Sequence, residues 1–201
     1  MKMKKNWIIL GVVVILFFIC IIIGMWLKNG YNNMVTKNEG VSAQWKQVEV
    51  AYQARMDKTK NLLEIVKGAA DFEKSTLQAV IEARSKATSI QIDADNLTPE
   101  KLAEFQKAQT SFGSSLGRLM AIAENYPQLK AVESFRDFQA QYEGMENRIA
   151  VERRKFNEVV QNYNTYIRRF PNNILSGMFG FEKKAYFASD EKAKDAPDIK
   201  F

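Results

Sequence analysis

The sequence predicts an all-α protein: an N-terminal transmembrane helix followed by an antiparallel, up-down four-helix bundle with long helices. Three observations carry that expectation. The 201 residues include only 10 glycines and 4 prolines, too few turn signals for a many-stranded sheet, alongside abundant Ala, Glu, Lys, Gln and Leu, which favour helix. Residues 7–27, WIILGVVVILFFICIIIGMWL, are 21 consecutive uncharged residues. At about 1.5 Å per residue they can cross a hydrocarbon core of roughly 30 Å. Beyond them, apolar residues recur at three- and four-residue spacing, the period of helix and not of strand.

Residues 1–6 form a short basic segment, with Lys2, Lys4 and Lys5 ahead of the apolar run, and Trp7 and Trp26 stand at the run's two ends, where amphipathic rings prefer headgroup level. A cleaved signal peptide is the competing reading, but the run is longer than a usual signal core and no small-x-small site follows it. Cys20 is preceded by Phe18 and Ile19 rather than by small residues, so it reads as a lipid-facing hydrophobe and not a lipidation site. Lys28 and Lys37 are the counterweight on the far side. The lysine asymmetry therefore predicts a single-pass protein of the cell (inner) membrane, with the N-terminus cytoplasmic and the domain extracytoplasmic.

Within the domain at 31–170, the first helix is expected over about 31–66, with Val41, Trp45, Val48, Tyr52, Leu62 and Val66 on its seam and Gly68 as its C-terminal cap. Asp71 opens a second expected helix to about residue 93, carrying Phe72, Leu77, Val80, Ile81, Ala83, Ala87 and Ile90. The third has the clearest start: Thr98 as N-cap, Pro99 at the first helical position and Leu97 stapling onto Leu102. It runs through Phe105, Gln109, Phe112, Leu116 and Leu119 towards Pro127, and Gly113 and Gly117 imply close approach of a neighbouring helix. The fourth is expected over 128–169 with a seam at Phe135, Phe138, Tyr142, Met145, Ile149, Phe156, Val160, Tyr163 and Ile167. Residues 171–201 form a tail, first aromatic and then charged, in which Gly177 and Gly180 are expected to break helix and the end to be disordered.

Composition removes several chemistries. There is no histidine, and the single cysteine lies in the apolar run, so imidazole acid-base catalysis, thiol nucleophiles and disulfides are not available to the domain. No cofactor, metal site, catalytic residue or small-molecule substrate is expected, and the chain reads as a non-enzyme. The net charge of +6 falls to +3 without Lys2, Lys4 and Lys5, too little for a dedicated nucleic-acid binder. In 153-RRKFNEVVQNYNTYIRRFP-171 the aromatic and basic residues fall on different faces, whereas base stacking needs both on one exposed face. Each seam carries a polar interruption: Arg55, Gln109, and Glu152 or Arg153. These form a candidate buried polar layer, read first as a register-setting device.

The residues 31-YNNMV-35, 45-WKQVEV-50, 61-NLLEIVKG-68, 82-EAR-84, 116-LGRLMAIAENYPQLKA-131, 146-ENRIAVERRKFNEVVQNYNTYIRRFP-171 and 179-FGFEKKAYF-187 resemble the LemA family. That resemblance implies a single-span, membrane-anchored bacterial protein with a helical-bundle domain, and it defines no mechanism. The sequence departs from the family at 54-ARMDKTKNLL-63, which has a single Arg55 and no proline. The single anchor, the long amphipathic helices and the missing catalytic chemistry point to a scaffold or adaptor of the bacterial envelope with a protein partner or self-association. The alternative, which the resemblance implies, is a sensory or regulatory subunit of an envelope stress or proteolysis system. The four expected helix lengths nearly cancel along the bundle axis, which would return 168-RRFP-171 to the bilayer. Arg168, Arg169, Phe179, Phe181, Tyr186 and Phe187 are therefore the candidate membrane-proximal residues. One continuous helix over 31–93 would instead point the C-terminus away.

Overall fold

The computed structural model describes residues 2–69 and 72–188, and among these there are helices and turns but no strand. The apolar run and the first expected bundle helix are one element, α1 (Lys2–Lys67). Nothing in 28–30 interrupts it, because Lys-Asn-Gly without proline leaves every helical hydrogen bond available. α1 ends where the sequence predicts, at a turn on Gly68. That turn does not use glycine's left-handed freedom, since the one positive φ among the described residues is at Gly180.

The second helix is shorter than expected: α2 spans Lys74–Ser89. Asp71 lies outside the described residues, and Phe72 precedes the helix, turned inward with its ring 5.0 Å from Tyr126. Ile90, assigned by periodicity to the helix, is already extended. A 3₁₀ turn at Ala94–Asn96 leads to α3 (Pro99–Ala123), whose first turn is closed by Thr98, its hydroxyl accepting the Lys101 N–H at 3.3 Å. The single fourth helix of the sequence reading is two, α4 (Pro127–Ala131) and α5 (Glu133–Arg168). Val132 between them is extended, and the bend lets both Leu129 and Phe135 be buried. A further helix, α6 (Asn172–Phe179), follows. Gly177 sits inside it rather than breaking it, and Gly180 ends it at φ 73°, a conformation that glycine adopts without steric cost. The charged end of the tail, 189–201, lies outside the described residues.

The chain divides into two compact units, one of Met1–Gly40 with Gln161–Lys183 and one of Val41–Val160 with Lys184–Phe201. In the larger unit Met56, Leu62 and Val66 of α1, Val80 and Ala87 of α2, Phe112, Leu116 and Leu119 of α3, and Phe135 and Phe138 of α5 share one core. Apart from Met56, these are positions that the three- and four-residue spacing marked. The smaller unit holds the apolar run, the end of α5 and α6. Met34, Tyr163, Ile167 and Leu175 are its buried large apolar side chains among the described residues.

Candidate functional site

Arg55, on α1, is 2 % exposed and is the hub of a polar junction in the larger unit. Its Nη1 donates to Glu146 Oε1 of α5 at 2.7 Å, and its Nη2 donates to the Gln109 carbonyl at 3.0 Å and to Gln109 Oε1 at 2.8 Å. Gln109, equally buried, turns its amide nitrogen to the Ala87 carbonyl of α2 at 3.3 Å. One guanidinium and one amide thus join α1, α2, α3 and α5. The guanidinium also lies 5.3 Å from the Tyr52 ring and 5.1 Å from the Phe112 ring, an attraction that strengthens as water is excluded. Its Nε has no partner.

Of the four residues proposed for a polar layer, the structure brings Arg55 and Gln109 together. Glu152 accepts instead from Gln44 at 2.8 Å and Lys155 at 3.0 Å, and Arg153 donates to the Ala188 carbonyl at 3.1 Å. Glu146, to which no role was assigned from the sequence, supplies the carboxylate. A carboxylate about two turns from the polar step along the same helix has no local signal marking it. Gly113 fits the close-approach expectation, since an added Cβ would stand 3.0 Å from Arg55 Nη1, but Gly117 has nothing within 4 Å. Arg55, Gly113, Tyr142, Glu146 and Arg153 face an open groove of about 770 Å³. Burial pushes the Tyr142 hydroxyl above its ordinary range, helped by the Glu146 charge and opposed by Arg55. Among the described residues no three His, Cys, Asp or Glu side chains gather to hold a metal ion. The arrangement joins helices and offers no nucleophile paired with a base.

Glu152 yields a pH prediction. Hydrogen bonds from Gln44 and then Lys155 hold its carboxyl below the ordinary range. A lowered folded-state pKa adds stability that is present above the unfolded value and is lost as pH falls through the folded one. In a ¹³C-detected titration of the carboxyl, Glu152 is expected to titrate below the ordinary glutamate range, and Gln44→Leu to move its midpoint upward. An unmoved midpoint would exclude the Gln44 bond as the leading cause.

The tail's aromatics divide between two environments. In the larger unit Phe187 is 4 % exposed, stacked on Trp45 at 6.0 Å and edge-on to Phe156 at 5.4 Å, while Tyr186 is 48 % exposed. Asn157 clasps the Phe187 backbone from both sides, donating to its carbonyl at 3.1 Å and accepting its N–H at 2.9 Å. Gln106 does the same for Ala188, with both bonds at 3.2 Å. No local feature of the sequence marks this strap. In the smaller unit Phe179 and Phe181 pack on Tyr31 at 5.0 and 5.8 Å. There the Lys37 ammonium lies 5.3 Å from the Tyr166 ring, and Tyr163 donates to the Glu182 carbonyl at 2.9 Å. Arg168 and Arg169 are exposed.

The apolar run is exposed throughout residues 9–26, with Ile15, Phe17 and Ile22 at 60 %, 62 % and 63 %. It makes α1 the one helix among the described residues long and apolar enough to cross a membrane.

Magnetosome proteins MamQ 2 and MamQ 1 of Paramagnetospirillum magneticum are each 28 % identical to this chain over 190 residues, covering 84 % of it and 68 % of their own length. Protein LemA of Metamycoplasma hominis is 25 % identical over 144 residues, covering 72 % of this chain and 62 % of its own. The sequence profile of the LemA family matches residues 44–201, the whole chain beyond the apolar run and its first continuation. The chain belongs to the LemA family.

Proposed function

We propose that this protein is a membrane-tethered, non-enzymatic helical scaffold or adaptor of the bacterial envelope. The observation that carries the reading is the exposed apolar run continuing without a break into the helix that carries the core. An apolar surface that large has no stable place in water. In this reading residues 7–27 cross the cell membrane with the N-terminus cytoplasmic. The later part of α1 forms an up-down four-helix bundle with α2, α3 and α5. Antiparallel pairing of α1 with α5 is supported by Gln44–Glu152 and Arg55–Glu146, where position rises along one helix as it falls along the other. The Arg55–Gln109–Glu146 junction sets register, because any slide of one helix would leave a buried guanidinium without its partners. The relatives' names, a magnetosome protein and LemA, denote no catalyst.

The reading is tested in intact cells with photo-cross-linking residues on exposed positions of the full-length chain. A discrete adduct with one protein, or with a second copy, is expected. Capture of the monomer alone from every position would overturn the adaptor role. A phosphatase reporter active only outside the cytoplasm, fused after Phe201, is expected to be active. Silence there, with an active cytoplasmic reporter, would reverse the orientation.

A further inference from the structure

The smaller unit exposes an apolar surface that neither the polar junction nor the strap explains. α6 packs by Leu175 and Ser176, 1 % and 9 % exposed, with the Ser176 hydroxyl donating to the Ile167 carbonyl of α5 at 3.0 Å. Its other face shows Ile174 at 51 % and Met178 at 68 %, one turn apart, and Phe170 just before the helix is 81 % exposed. Four large apolar side chains, counting Phe179 at 48 %, lie within ten residues of chain. A water-facing surface segment of that length does not usually carry so many.

The height of α6 on α1 identifies what covers this face. A Cβ built on Gly30 would stand 2.6 Å from Leu175 Cδ1, so the two helices touch at Gly30. Gly30 is three residues past Leu27, the end of the apolar run, about 4.5 Å further along the axis. The polar layer on each side of a bilayer is roughly 5–8 Å deep. Once the run spans, whatever points away from α1 at Gly30 meets the boundary between headgroups and acyl chains. The stretch 168-RRFPNNILSGMFGF-181 suits that boundary, with two arginines and no acidic residue. Cations are attracted to anionic headgroups while apolar side chains enter beneath them.

We propose that α6 is an interfacial helix, fixed to the spanning helix at Gly30, that inserts Phe170, Ile174 and Met178 into the headgroup–acyl boundary of the lipid surface while Arg168 and Arg169 meet anionic headgroups. This rests on the tethered reading above and goes beyond it: the domain touches the bilayer through a second element as well as hanging from the first. The glycine admits close contact, because any larger residue at position 30 would meet the buried Leu175 side chain.

The test uses the full-length chain in vesicles of phosphatidylcholine and phosphatidylglycerol. A bimane label is placed in turn at Met178→Cys and Ile174→Cys in a Cys20→Ser background, and at native Cys20 in the otherwise unaltered protein. Positions 174 and 178 are exposed, so labelling leaves the packing intact. Lipids brominated near the headgroup end of the acyl chain are expected to quench labels at 174 and 178 several-fold more than lipids brominated near the chain terminus, whereas Cys20 shows deeper quenching. Labels at 174 and 178 quenched by aqueous iodide and not by either lipid, with Cys20 still deep, would overturn the interfacial helix and leave the tether standing. Labels shielded from iodide and from both lipids would also overturn it, showing the face covered by protein. A Cys20 label that no lipid quenches would remove the tether and this inference together.

Discussion

Trp45→Ala is expected to lower the unfolding free energy of the full-length protein in detergent by about 3–5 kcal/mol, the range for deleting a buried large aromatic. The Trp45 indole is fully buried, with ring centroids 5.4 Å from Phe105, 5.6 Å from Phe156 and 6.0 Å from Phe187. Its Nε1 donates to the Ile92 carbonyl at 3.2 Å. Truncation therefore empties the centre of an aromatic cluster built from α1, α3, α5 and the tail strap, and it unpairs a carbonyl in the loop after α2. Trp45→Phe keeps a ring and loses the donor, so about 1–2 kcal/mol is expected from the unpaired carbonyl. Urea titration followed by helical circular dichroism measures both. Protease cleavage near Phe187 should quicken in the alanine variant, because the strap loses the ring on which it stacks. A loss under about 1 kcal/mol for the alanine variant would show that Trp45 is not the keystone of this cluster.

Arg55→Ala is expected to be nearly as costly, about 3–4 kcal/mol, for a different reason. It removes a buried charge with its partners left in place, a change that costs about 3–5 kcal/mol when a buried pair is broken from one side. The cost sits at the lower end of that range because the Glu146 side chain is 36 % exposed and water can replace part of what it loses. Gln109 has no such recourse. Its side-chain oxygen loses its donor inside the core. Glu146→Gln, which keeps an acceptor and removes the charge, is expected to cost about 1 kcal/mol, as for a half-exposed pair. A triple variant, Arg55→Met with Gln109→Leu and Glu146→Leu, removes every partner at once and should recover much of the loss, since apolar replacement of a buried ionic group is often neutral. If the triple variant unfolds as readily as Arg55→Ala, the junction contributes stability directly and the register-setting reading fails. If it is stable but populates cross-linked helix pairs other than those bridged by Gln44–Glu152 and Arg55–Glu146, the junction acts through specificity.

Both variants show how far one-dimensional reading reaches. Arg55 and Gln109 were visible because each breaks an otherwise apolar stripe, and a stripe depends on residues three and four apart. Glu146 was not, because it stands 91 residues from Arg55 in a stretch where charged residues are ordinary. The third helix's start was legible from Thr98 and Pro99, whose effects act within one turn. The bend at Val132 and the late start of α2 were not, because each serves the burial of a particular ring, Phe135 in one case and Phe72 in the other. Helix propensity carries no term for that.

By itself the sequence determined the all-helical class, the apolar run, the seam residues and the family, because these depend on composition, on local periodicity and on matching residues in order. Tertiary structure alone decided which equivalent-looking residues differ. Gly11 and Gly24 have open space around them while Gly30 touches Leu175, although all three are glycines in the same helix. Phe187 is enclosed by Trp45 and Phe156 while Phe179, eight residues earlier, stays half exposed. Asn157 clasps the tail while Asn162 faces solvent. The difference in each pair comes from the rotation and height at which one helix meets another. Those are set by the summed packing of many side chains, and no single stretch of sequence contains that sum.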